Sequence, residues 1–344
     1  MKSKILFVLS HTAYLERYIL SDLDAISDLK IFYLKKTLLG KFLVGNKSPL
    51  CKLLKKSKLY DYFINQKNIY NIGKYIKNKK TQYLIIIQAQ CLNRISYAYF
   101  NNLKNRFNCE LIIYSLDSVH ANSPTFLSVK DTILNNNWDR IYTYDYFDSM
   151  EFGWSYIGRN YFSTSKLPPR NKQKPIKNDI YFAGGIKGGK EKILFQIYEK
   201  LLQNNLNPNF YLYCYSDKQK NELQEKYPSY NIFFREWQQY KKLLNCIQET
   251  NCIIEILQEN QKTQSVRYFE ALYFNKKLLT NNPEIINLPY YNPEYMKYFK
   301  NVEDIDFEWL KKDIKVDYHY QNDFTPVNFI KQVINDFKIT NISI

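Results

Sequence analysis

Residues 252 to 282 read CIIEILQENQKTQSVRYFEALYFNKKLLTNN, and this segment is the clearest indication of the fold. It predicts a buried strand over residues 253–257, a polar loop, a helix, and a second strand that ends in Thr280, Asn281 and Asn282. In a parallel sheet, such a unit directs the start of the helix toward the edge where ligands bind. The unpaired N–H groups and the dipole at a helix N-terminus favour an anion there, especially a phosphate.

Two charged residues of this helix are candidate ligand contacts. Arg267 lies in the first helical turn, and Glu270 follows three residues later on the same face. A cation for phosphate oxygens beside a carboxylate for sugar hydroxyls suits a nucleoside diphosphate. The same spacing is also that of an ordinary ion pair on a helix surface. The spacing alone leaves both interpretations open.

Apolar strands alternate with helical patterns along the rest of the chain. The strand candidates are residues 4–10, 29–34, 83–87, 110–114, 138–145, 179–183, 210–215, 232–234 and 252–257. Strands that alternate with helices indicate doubly wound parallel sheets. We therefore predict an α/β fold with two Rossmann-like domains that face each other across a cleft.

A change of composition marks the predicted boundary between these domains. Residues 163–178 read STSKLPPRNKQKPIKN, with three prolines, several basic residues and no apolar periodicity. We predict an N-terminal domain over residues 1–165 that binds the acceptor, a linker over 166–178, and a C-terminal nucleotide-binding domain over 179–325. Residues 326–344 contain a last helix, which we expect to cross back to the N-terminal domain.

A glycine-rich turn follows the first strand of the second half. The segment GGIKGGK ends at Lys190 and satisfies the GxxxxGK spacing of a phosphate-binding P-loop. A P-loop needs Ser or Thr next to ligate magnesium, but Glu191 stands there, so we do not expect a P-loop NTPase. We expect a turn in which the backbone at Gly184 and Gly185 approaches a ligand and Lys187 and Lys190 meet phosphate. An ordinary tight turn is the alternative.

Metal-binding patterns are weak in this sequence. DxD pairs, which metal-dependent sugar transferases use to hold a cation, occur at Asp22 with Asp24 and at Asp304 with Asp306. Neither pair ends a predicted buried strand, so we expect neither to bind a metal. The six cysteines form no CxxC pair and no histidine cluster accompanies them, which predicts reduced thiols and no zinc site.

Three polar residues of the first half are candidates for acid–base catalysis. His11 ends the first predicted strand, and Asp117 and His120 follow a later one. An imidazole or carboxylate at such a strand end can remove a proton from a substrate hydroxyl. Each of the three is also compatible with an ordinary structural role, which is the commoner role of an isolated histidine. No GxSxG hydrolase motif is present.

The chain is strongly basic, with 49 Lys and Arg against 33 Asp and Glu and a formal net charge of +16. Such a surface attracts nucleic acid, anionic lipid headgroups or nucleotide substrates. Abundant Lys, Asn, Ile and Tyr also match the codon bias of an AT-rich genome, which would make much of the lysine ordinary surface. Residues 35–80 predict amphipathic helices, either plain surface helices or a membrane-docking face. Neither a membrane span nor a cleavable signal peptide is evident, so we expect a cytoplasmic protein.

Several segments resemble those of a known enzyme group. They are FAG at 182–184 with Lys190, QSVRYFEAL at 264–272, KKLLTNN at 276–282 and YNPE at 291–294. Together they resemble the C-terminal domain of GT-B glycosyltransferases, and more narrowly bacterial enzymes of capsule, O-antigen and lipooligosaccharide biosynthesis. SLDS at 115–118 and the segment at 138–148 resemble that group's WDS and FD patterns, with Leu116 in place of the tryptophan. A glycine typical of the group is also replaced near Ser265.

The resemblance implies a donor site in the C-terminal domain. Arg267 and Lys190 would contact the donor diphosphate, and the amides of Ser265 and Val266 would face it. Glu270 would hold the ribose hydroxyls. The resemblance also implies metal-independent chemistry without a cofactor, since a helix dipole and cations neutralise the departing diphosphate.

We therefore expect a glycosyltransferase that moves a sugar from a nucleotide-diphosphate or CMP donor onto a surface glycan or a lipid-linked oligosaccharide. Its basic surface would hold it at the inner membrane. A nucleotide-sugar epimerase or hydrolase of the same fold is one alternative. A basic nucleic-acid-binding protein is another, but no RRM, KH, zinc-finger or helix-turn-helix signature supports it, so we expect no nucleic-acid partner.

Overall fold

A computed structural model describes residues 2–10, 15–34, 58–120, 124–170, 174–186, 190–236, 238–258, 261 and 263–342. The chain divides into two compact units. The first unit is Met1–Ser163 together with Phe324–Ile344, and the second unit is Thr164–Asp323. Each unit has its own six-stranded sheet.

The first unit is built on parallel strands. They are β1 (Lys2–Leu9), β2 (Leu29–Tyr33), β3 (Thr81–Gln88), β4 (Cys109–Ser115), β5 (Arg140–Thr143) and β6 (Ser155–Tyr156), in the spatial order β2-β1-β3-β4-β5-β6. The helices between them are α1 (Glu16–Ile19), α2 (Lys58–Tyr75), α3 (Tyr97–Arg106), α4 (Pro124–Leu134) and α5 (Tyr146–Phe152), with 3₁₀ turns at Ser21–Ala25 and Ala89–Asn93. The central strands carry unbroken apolar runs because both faces of the sheet are covered.

The second unit repeats this architecture. Its parallel strands are β7 (Asn178–Gly185), β8 (Pro208–Tyr213), β9 (Phe233–Phe234), β10 (Thr250–Glu255), β11 (Lys277–Thr280) and β12 (Met296–Tyr298), in the order β12-β11-β10-β7-β8-β9. Its helices are α6 (Lys190–Gln203), α7 (Asp217–Lys226), α8 (Tyr240–Gln248), α9 (Val266–Phe274) and α10 (Phe307–Lys311), with 3₁₀ turns at Pro283–Asn287 and Val302–Asp304.

The last helix, α11 (Pro326–Asp336), belongs to the first unit. Phe329 is fully buried and packs against Phe7, Tyr114 and Tyr142, with ring centroids 6.4, 5.1 and 5.3 Å away. The Tyr142 hydroxyl donates to Asp336 Oδ2 at 2.6 Å. The C-terminal segment therefore covers the centre of the first sheet.

Each sheet has one point where the strand order reverses. In the first unit the chain adds β2 on one side of β1 and then β3 on the other. In the second unit it adds β8 and β9 on one side of β7 and then β10 on the other. Helices on opposite faces diverge at such a switch point and leave a crevice at the carboxyl ends of the strands, where doubly wound proteins bind ligands.

Some predicted elements differ from the observed ones. The helical spacing of residues 14–29 predicts one helix, but in the described residues 15–29 the structure has only α1 and the Ser21–Ala25 turn. Ser21 Oγ bonds the carbonyl of Tyr18 at 2.6 Å and Ser163 Oγ at 2.9 Å, and short polar side chains that bond backbone compete with a regular helix. In the predicted helices over residues 35–80, residues 35–57 lie outside the described part.

The predicted linker is held against the second unit where it is described. Arg170 Nη1 donates to the carbonyl of Tyr320 at 2.7 Å, and its guanidinium lies over the rings of Tyr273 and Tyr320. Lys174 Nζ donates to Asn245 Oδ1 at 3.0 Å. Among the described helices, none is both long and apolar enough to cross a bilayer.

Candidate functional site

Two helices of the second unit begin beside its switch point. α6 begins with Lys190 after β7, and α9 begins with Val266 after β10. Ser265 is the N-cap residue of α9, because its Oγ accepts the N–H of Arg267 at 3.2 Å. Val266 is the first residue of the helix, one position before Arg267, whose N–H Ser265 caps. The N–H of Val266 has no acceptor within the helix. The crevice therefore receives the positive ends of two helix dipoles.

Glu255, the last residue of β10, fixes the loop that leads into α9. It is fully buried, and its Oε1 accepts the N–H of Ser265 at 2.6 Å and the Oγ of the same residue at 2.7 Å. Its Oε2 accepts the hydroxyl of Thr280 at 2.7 Å. Burial raises the pKa of Glu255 above its ordinary value. Glu255 thus accepts the Ser265 amide, and the Ser265 hydroxyl caps α9; the expected contact of Ser265 with a ligand stays a prediction.

Arg267 takes part in a buried network. Its Nη1 donates to Glu270 Oε2, its Nη2 donates to the carbonyl of Ala183 at 3.0 Å, and its guanidinium lies 5.9 Å from the ring centroid of Tyr181. Glu270 Oε1 accepts the hydroxyl of Tyr240 at 2.7 Å. The Arg267 side chain is 13% exposed and that of Glu270 is 0% exposed. The ion pair allowed by the spacing is therefore present, but it lies inside the unit.

Charge and burial oppose each other in this network. Burial alone would lower the pKa of Arg267, but the neighbouring Glu270, Tyr181 and Tyr240 raise it above the ordinary value. The pKa of Tyr240 is also raised, mainly by burial and then by the charge of Glu270. Arg267 thus stays a cation, with a carboxylate on one side and the end of β7 on the other.

Lys190 links the two strands of the switch point. It stands at the start of α6, and its Nζ donates to the carbonyl of Ile256, just after β10, at 2.5 Å. Gly184 and Gly185 are the last residues of β7, so this strand extends two residues beyond its predicted end at Ala183. Lys187 lies outside the described residues.

The arrangement suits an anion with several oxygens. Two cationic side chains and two helix N-termini meet at one sheet edge, and the nearby carboxylates of Glu255 and Glu270 are buried and hydrogen-bonded. Phosphate and diphosphate groups match such a set of N–H donors.

The switch point of the first unit carries acids. Gln88, the last residue of β3, accepts the N–H of Ser10 at 2.8 Å through Oε1 and donates Nε2 to Glu16 Oε1 at 2.7 Å. Asp117 Oδ2 accepts the Nε2 of Gln90 at 2.6 Å. Burial is the largest cause of the raised pKa of Glu16, and the charge of Asp117 raises that pKa further. Asp117 therefore has a second carboxylate near it.

His120 lies beside two other acids. Its Nε2 is 2.6 Å from Glu151 Oε2 and 3.9 Å from Asp148 Oδ1, and the side chain is 42% exposed. Asp148 is fully buried and accepts the N–H of Val119 at 2.8 Å. Burial is the main cause that raises the pKa of Asp148, to about 6. The structure therefore places His120 with Glu151 and Asp148, while Asp117 is held by Gln90. His11 lies outside the described residues.

Three of the four DxD aspartates accept hydrogen bonds from groups of the protein. Asp22 accepts the hydroxyls of Ser163 and Thr325 at 2.6 and 2.8 Å. Asp304 accepts the N–H of Asn301 at 2.7 Å, and Asp306 caps α10 by accepting an N–H at 2.9 Å. In the described part of the chain, no three His, Cys, Asp or Glu side chains are grouped to hold a metal ion. The five described cysteines are free thiols.

Sequence reasoning missed several residues of these clusters, among them Glu16, Asp148, Tyr240 and Glu255. Glu255 carried a usable signal, because it is an acid in an apolar strand whose carboxyl end was already expected to bind a ligand. Tyr240 carried none, since it lies 30 residues before its partner Glu270 on another helix.

No protein-family model matches the chain, and no curated protein matches it. Solved structures do share its fold. A glycosyltransferase from Rickettsia africae ESF-5 has a TM-score of 0.51 at 15% identity, and the match covers 98% of both chains. A putative UDP-N-acetylglucosamine 2-epimerase from Listeria monocytogenes has a TM-score of 0.52 at 9% identity, covering 99% of this chain and 98% of that one.

An alpha-glucosyltransferase in complex with UDP and a 13-mer DNA has a TM-score of 0.52 at 13% identity, covering 98% of this chain and 99% of that one. At such identities these likenesses show the fold alone. They confirm the predicted α/β class with two Rossmann-like domains of the GT-B kind.

Proposed function

We propose that the protein is a glycosyltransferase whose second unit binds a nucleotide-diphosphate sugar and whose first unit binds the acceptor. The observation that carries the proposal is the set of Lys190, Arg267 and the α9 N-terminus at the β7/β10 switch point. A Rickettsia glycosyltransferase and an alpha-glucosyltransferase bound to UDP share the fold over nearly the whole chain, which supports a nucleotide-sugar substrate.

The donor diphosphate lies, in this proposal, against Lys190, Arg267 and the amide of Val266. As the bond to the sugar breaks, negative charge grows on the departing diphosphate. Cations and amides that already point at this position stabilise that charge without rearranging. The chemistry is metal-independent in this proposal, because these groups take the place of a divalent ion.

Glu270 takes a different part from the one that the resemblance implies. Its carboxylate has no exposed surface for a ribose, and its two oxygens accept from Arg267 and Tyr240. We propose that Glu270 is a positioning residue that holds the guanidinium at the end of β7. Glu270 then affects nucleotide affinity only through the position of Arg267.

In this proposal the acceptor oxygen bonds the anomeric carbon of the sugar as the diphosphate leaves, and the hydroxyl proton passes to a carboxylate of the first unit that acts as the base. Asp117 is our candidate, because it is half-buried at the sheet edge and Gln90 Nε2 orients its carboxylate by donating to Oδ2. His120 is hydrogen-bonded to Glu151 and serves as the alternative base. We propose a growing surface glycan or a lipid-linked oligosaccharide as the acceptor, with the net charge of +16 holding the enzyme at an anionic inner-membrane surface.

Donor binding tests the site directly. Calorimetry with UDP should give a measurable Kd for the wild type, and Lys190→Ala should weaken it by roughly tenfold or more, because a hydrogen bond to a charged group is lost. Lys311→Ala, which changes an exposed lysine of α10, should leave the Kd unchanged. Wild-type protein that binds neither UDP nor any other nucleoside diphosphate would sink the proposal.

A deoxynucleotide separates the two roles for Glu270. If Glu270 positions Arg267, Glu270→Gln should weaken UDP and 2′-deoxy-UDP by the same factor. If Glu270 holds the ribose, the substitution should weaken UDP more than the deoxy analogue. The ratio of the two Kd values decides, and it is insensitive to a general loss of folded protein.

A nucleotide-sugar epimerase is the second candidate, because the Listeria epimerase shares the fold with a TM-score equal to that of the alpha-glucosyltransferase. Incubation with UDP-N-acetylglucosamine and no acceptor distinguishes the two. An epimerase would form a new UDP-sugar or release UDP under these conditions, whereas a transferase needs an added acceptor for rapid turnover.

Asp117→Asn should slow transfer by about a hundredfold while leaving the Kd for UDP unchanged.

A further inference from the structure

A carboxylate is built into the start of α9. Glu255 is fully buried, and both of its oxygens accept hydrogen bonds. Ser265 Oγ accepts the N–H of Arg267 at 3.2 Å, and Thr280 Oγ1 accepts the N–H of Asn282 at 3.0 Å. Each of these hydroxyl oxygens thus receives a backbone N–H. Each directs its own proton to the Glu255 carboxylate, which only accepts hydrogen bonds when it is ionised.

Uncharged groups hold this carboxylate. In the described part of the chain, the donors to Glu255 are the amide and hydroxyl of Ser265, at 2.6 and 2.7 Å, and the hydroxyl of Thr280, at 2.7 Å. No lysine or arginine of that part donates to it directly. Burial is the largest influence on the carboxyl group and raises the pKa of Glu255, although the hydrogen bonds and the charge of Lys190 act in the opposite direction.

The charged groups around Glu255 have other partners. Lys190 at the start of α6 donates Nζ to a backbone carbonyl after β10, and Arg267 on α9 donates to Glu270. The titratable residues of the two loops that lead into α6 and α9 lie outside the described residues: Lys187, Glu259 and Lys262. Within the described residues, Glu255 therefore has one cation acting on it and no ion pair of its own.

The proposed position of the donor diphosphate is one amide away from this carboxylate. Glu255 accepts the N–H of Ser265, whereas the diphosphate would accept the N–H of Val266, the next amide of the chain. Two anions would then share one helix N-terminus. A like charge so close disfavours the ionised form of a carboxyl group.

A neutral Glu255 keeps the geometry of the loop. A proton on its Oε2 would donate to Thr280 Oγ1, and only the hydroxyl proton of Thr280 would have to turn away. Its Oε1 would still accept the amide and the hydroxyl of Ser265. Protonation therefore removes the charge and leaves the start of α9 in place.

We propose that Glu255 is a resident anion of the α9 N-terminus that takes up a proton from solvent when the donor diphosphate binds. This inference rests on the proposed nucleotide-sugar function and adds a proton coupling to its donor site. Glu255 touches no substrate and acts on affinity through its charge. Because binding takes up a proton, nucleotide affinity rises as the pH falls. The neutral carboxyl group also leaves the helix N-terminus to the charge that grows on the departing diphosphate.

Proton uptake measures this coupling directly. Calorimetry of UDP binding in two buffers of different ionisation enthalpy, PIPES and imidazole, gives the number of protons taken up per UDP at pH 6, 7 and 8. Glu255→Gln keeps the shape of the side chain and resembles the neutral acid. The wild type should take up more protons than this variant, by up to about one per UDP. As the pH falls, its affinity should rise relative to that of the variant by up to about tenfold per pH unit.

The comparison of the two proteins isolates Glu255. A terminal phosphate such as that of UDP also titrates in this range, but it does so equally with both proteins. Glu249→Gln is the matched control, because Glu249 directly precedes β10 at the other end of the strand and is paired with Lys174 and Lys177. This variant should take up as many protons as the wild type.

Infrared difference spectra of the wild type with ¹³C-labelled glutamate give a second measurement that needs no variant. On addition of UDP, one glutamate carboxylate band should be replaced by the band of a protonated carboxyl group. The absence of this change overturns the coupling, also where Glu255→Gln fails to fold.

The outcomes separate this inference from the proposed function. Equal proton uptake by the wild type and Glu255→Gln overturns the coupling and leaves the anion site in place. Loss of UDP binding in folded Glu255→Gln overturns it too, because a neutral side chain should favour the diphosphate. If the wild type binds no nucleoside diphosphate, the proposed function itself fails.

Discussion

The two units place opposite charges at the same position of the same architecture. At the β1/β3 switch point, the half-buried carboxylates of Glu16 and Asp117 are each held by a glutamine amide. At the β7/β10 switch point, Lys190 and Arg267 stand beside helix N-termini. The carboxylates of the first crevice can accept a proton or a hydrogen bond from a hydroxyl group, whereas the cations and N–H groups of the second crevice can bind an anion.

Burial, more than residue type, distinguishes the acids of the two units. Glu255 and Glu270 of the second unit are fully buried, and each accepts hydrogen bonds on both oxygens. They hold neighbouring groups in place and offer no free surface to a ligand. Glu16 and Asp117 keep part of their surface open. A carboxylate near a switch point is therefore a candidate for chemistry only when its burial leaves an oxygen accessible.

Removing the cation of the buried pair should give the largest effect. Arg267→Ala leaves the carboxylate of Glu270 buried, with Tyr240 as its remaining hydrogen-bond partner among the described residues. Breaking a buried ion pair costs roughly 3–5 kcal/mol of unfolding free energy. Urea denaturation measures the change. Lys311→Ala, which removes an exposed pair with Glu308, should cost less than about 1 kcal/mol. Equal losses in the two variants would show that the Arg267 pair behaves like a surface pair.

The next largest effect is the pH dependence that the buried Asp148 of the first unit gives to the unfolding free energy. Burial raises its pKa from an ordinary 3.8 to about 6. Between these values the folded state binds more protons than the unfolded state, so this group makes the unfolding free energy fall as pH rises through that window. The fall is at most about 3 kcal/mol and levels off above the folded pKa, since one pKa unit corresponds to about 1.36 kcal/mol.

Asp148→Asn removes this titration. Denaturation from pH 4 to pH 7 should show the variant gaining stability relative to the wild type as pH rises. Asp131→Asn, at an exposed aspartate of α4, should follow the wild type throughout. A constant difference between Asp148→Asn and the wild type across this range would contradict the raised pKa of this carboxyl group.

The sequence predicted the parts of both crevices that depend on local pattern. Apolar runs and helical spacing located the main strands, the start of α9 and the Arg267–Glu270 pair, because those signals lie within one or two turns of chain. The burial of the pair was not predictable, since it depends on Tyr240, 30 residues away from Glu270, and on Ala183, 84 residues away from Arg267. Such contacts exist only once the sheet has formed.

The DxD pairs also show that a local sequence pattern does not determine distant contacts. The spacing at Asp22 and Asp24 matched a metal motif, although its place in the chain argued against that use. In the structure, Asp22 joins Ser163 to Thr325, residues that are far apart in sequence. A short motif therefore cannot report which distant groups will surround it.

Asp22 gives the smallest predicted effect and tests whether a half-buried acid of the first unit can be purely structural. Its two oxygens accept one hydroxyl each, from Ser163 where the chain leaves the first unit and from Thr325 where it has returned. Asp22→Asn keeps the shape but turns one acceptor into a donor, and should lower the unfolding free energy by about 2 kcal/mol. Asp24→Asn, at an exposed neighbour, should change it by no more than about 0.5 kcal/mol.

Since neither Asp22 nor Asp24 belongs to the anion site, the Kd for UDP should stay at the wild-type value in both variants. If the Asp22→Asn protein is fully folded and still binds UDP more weakly, the acids of the first unit and the cations of the second do not act independently.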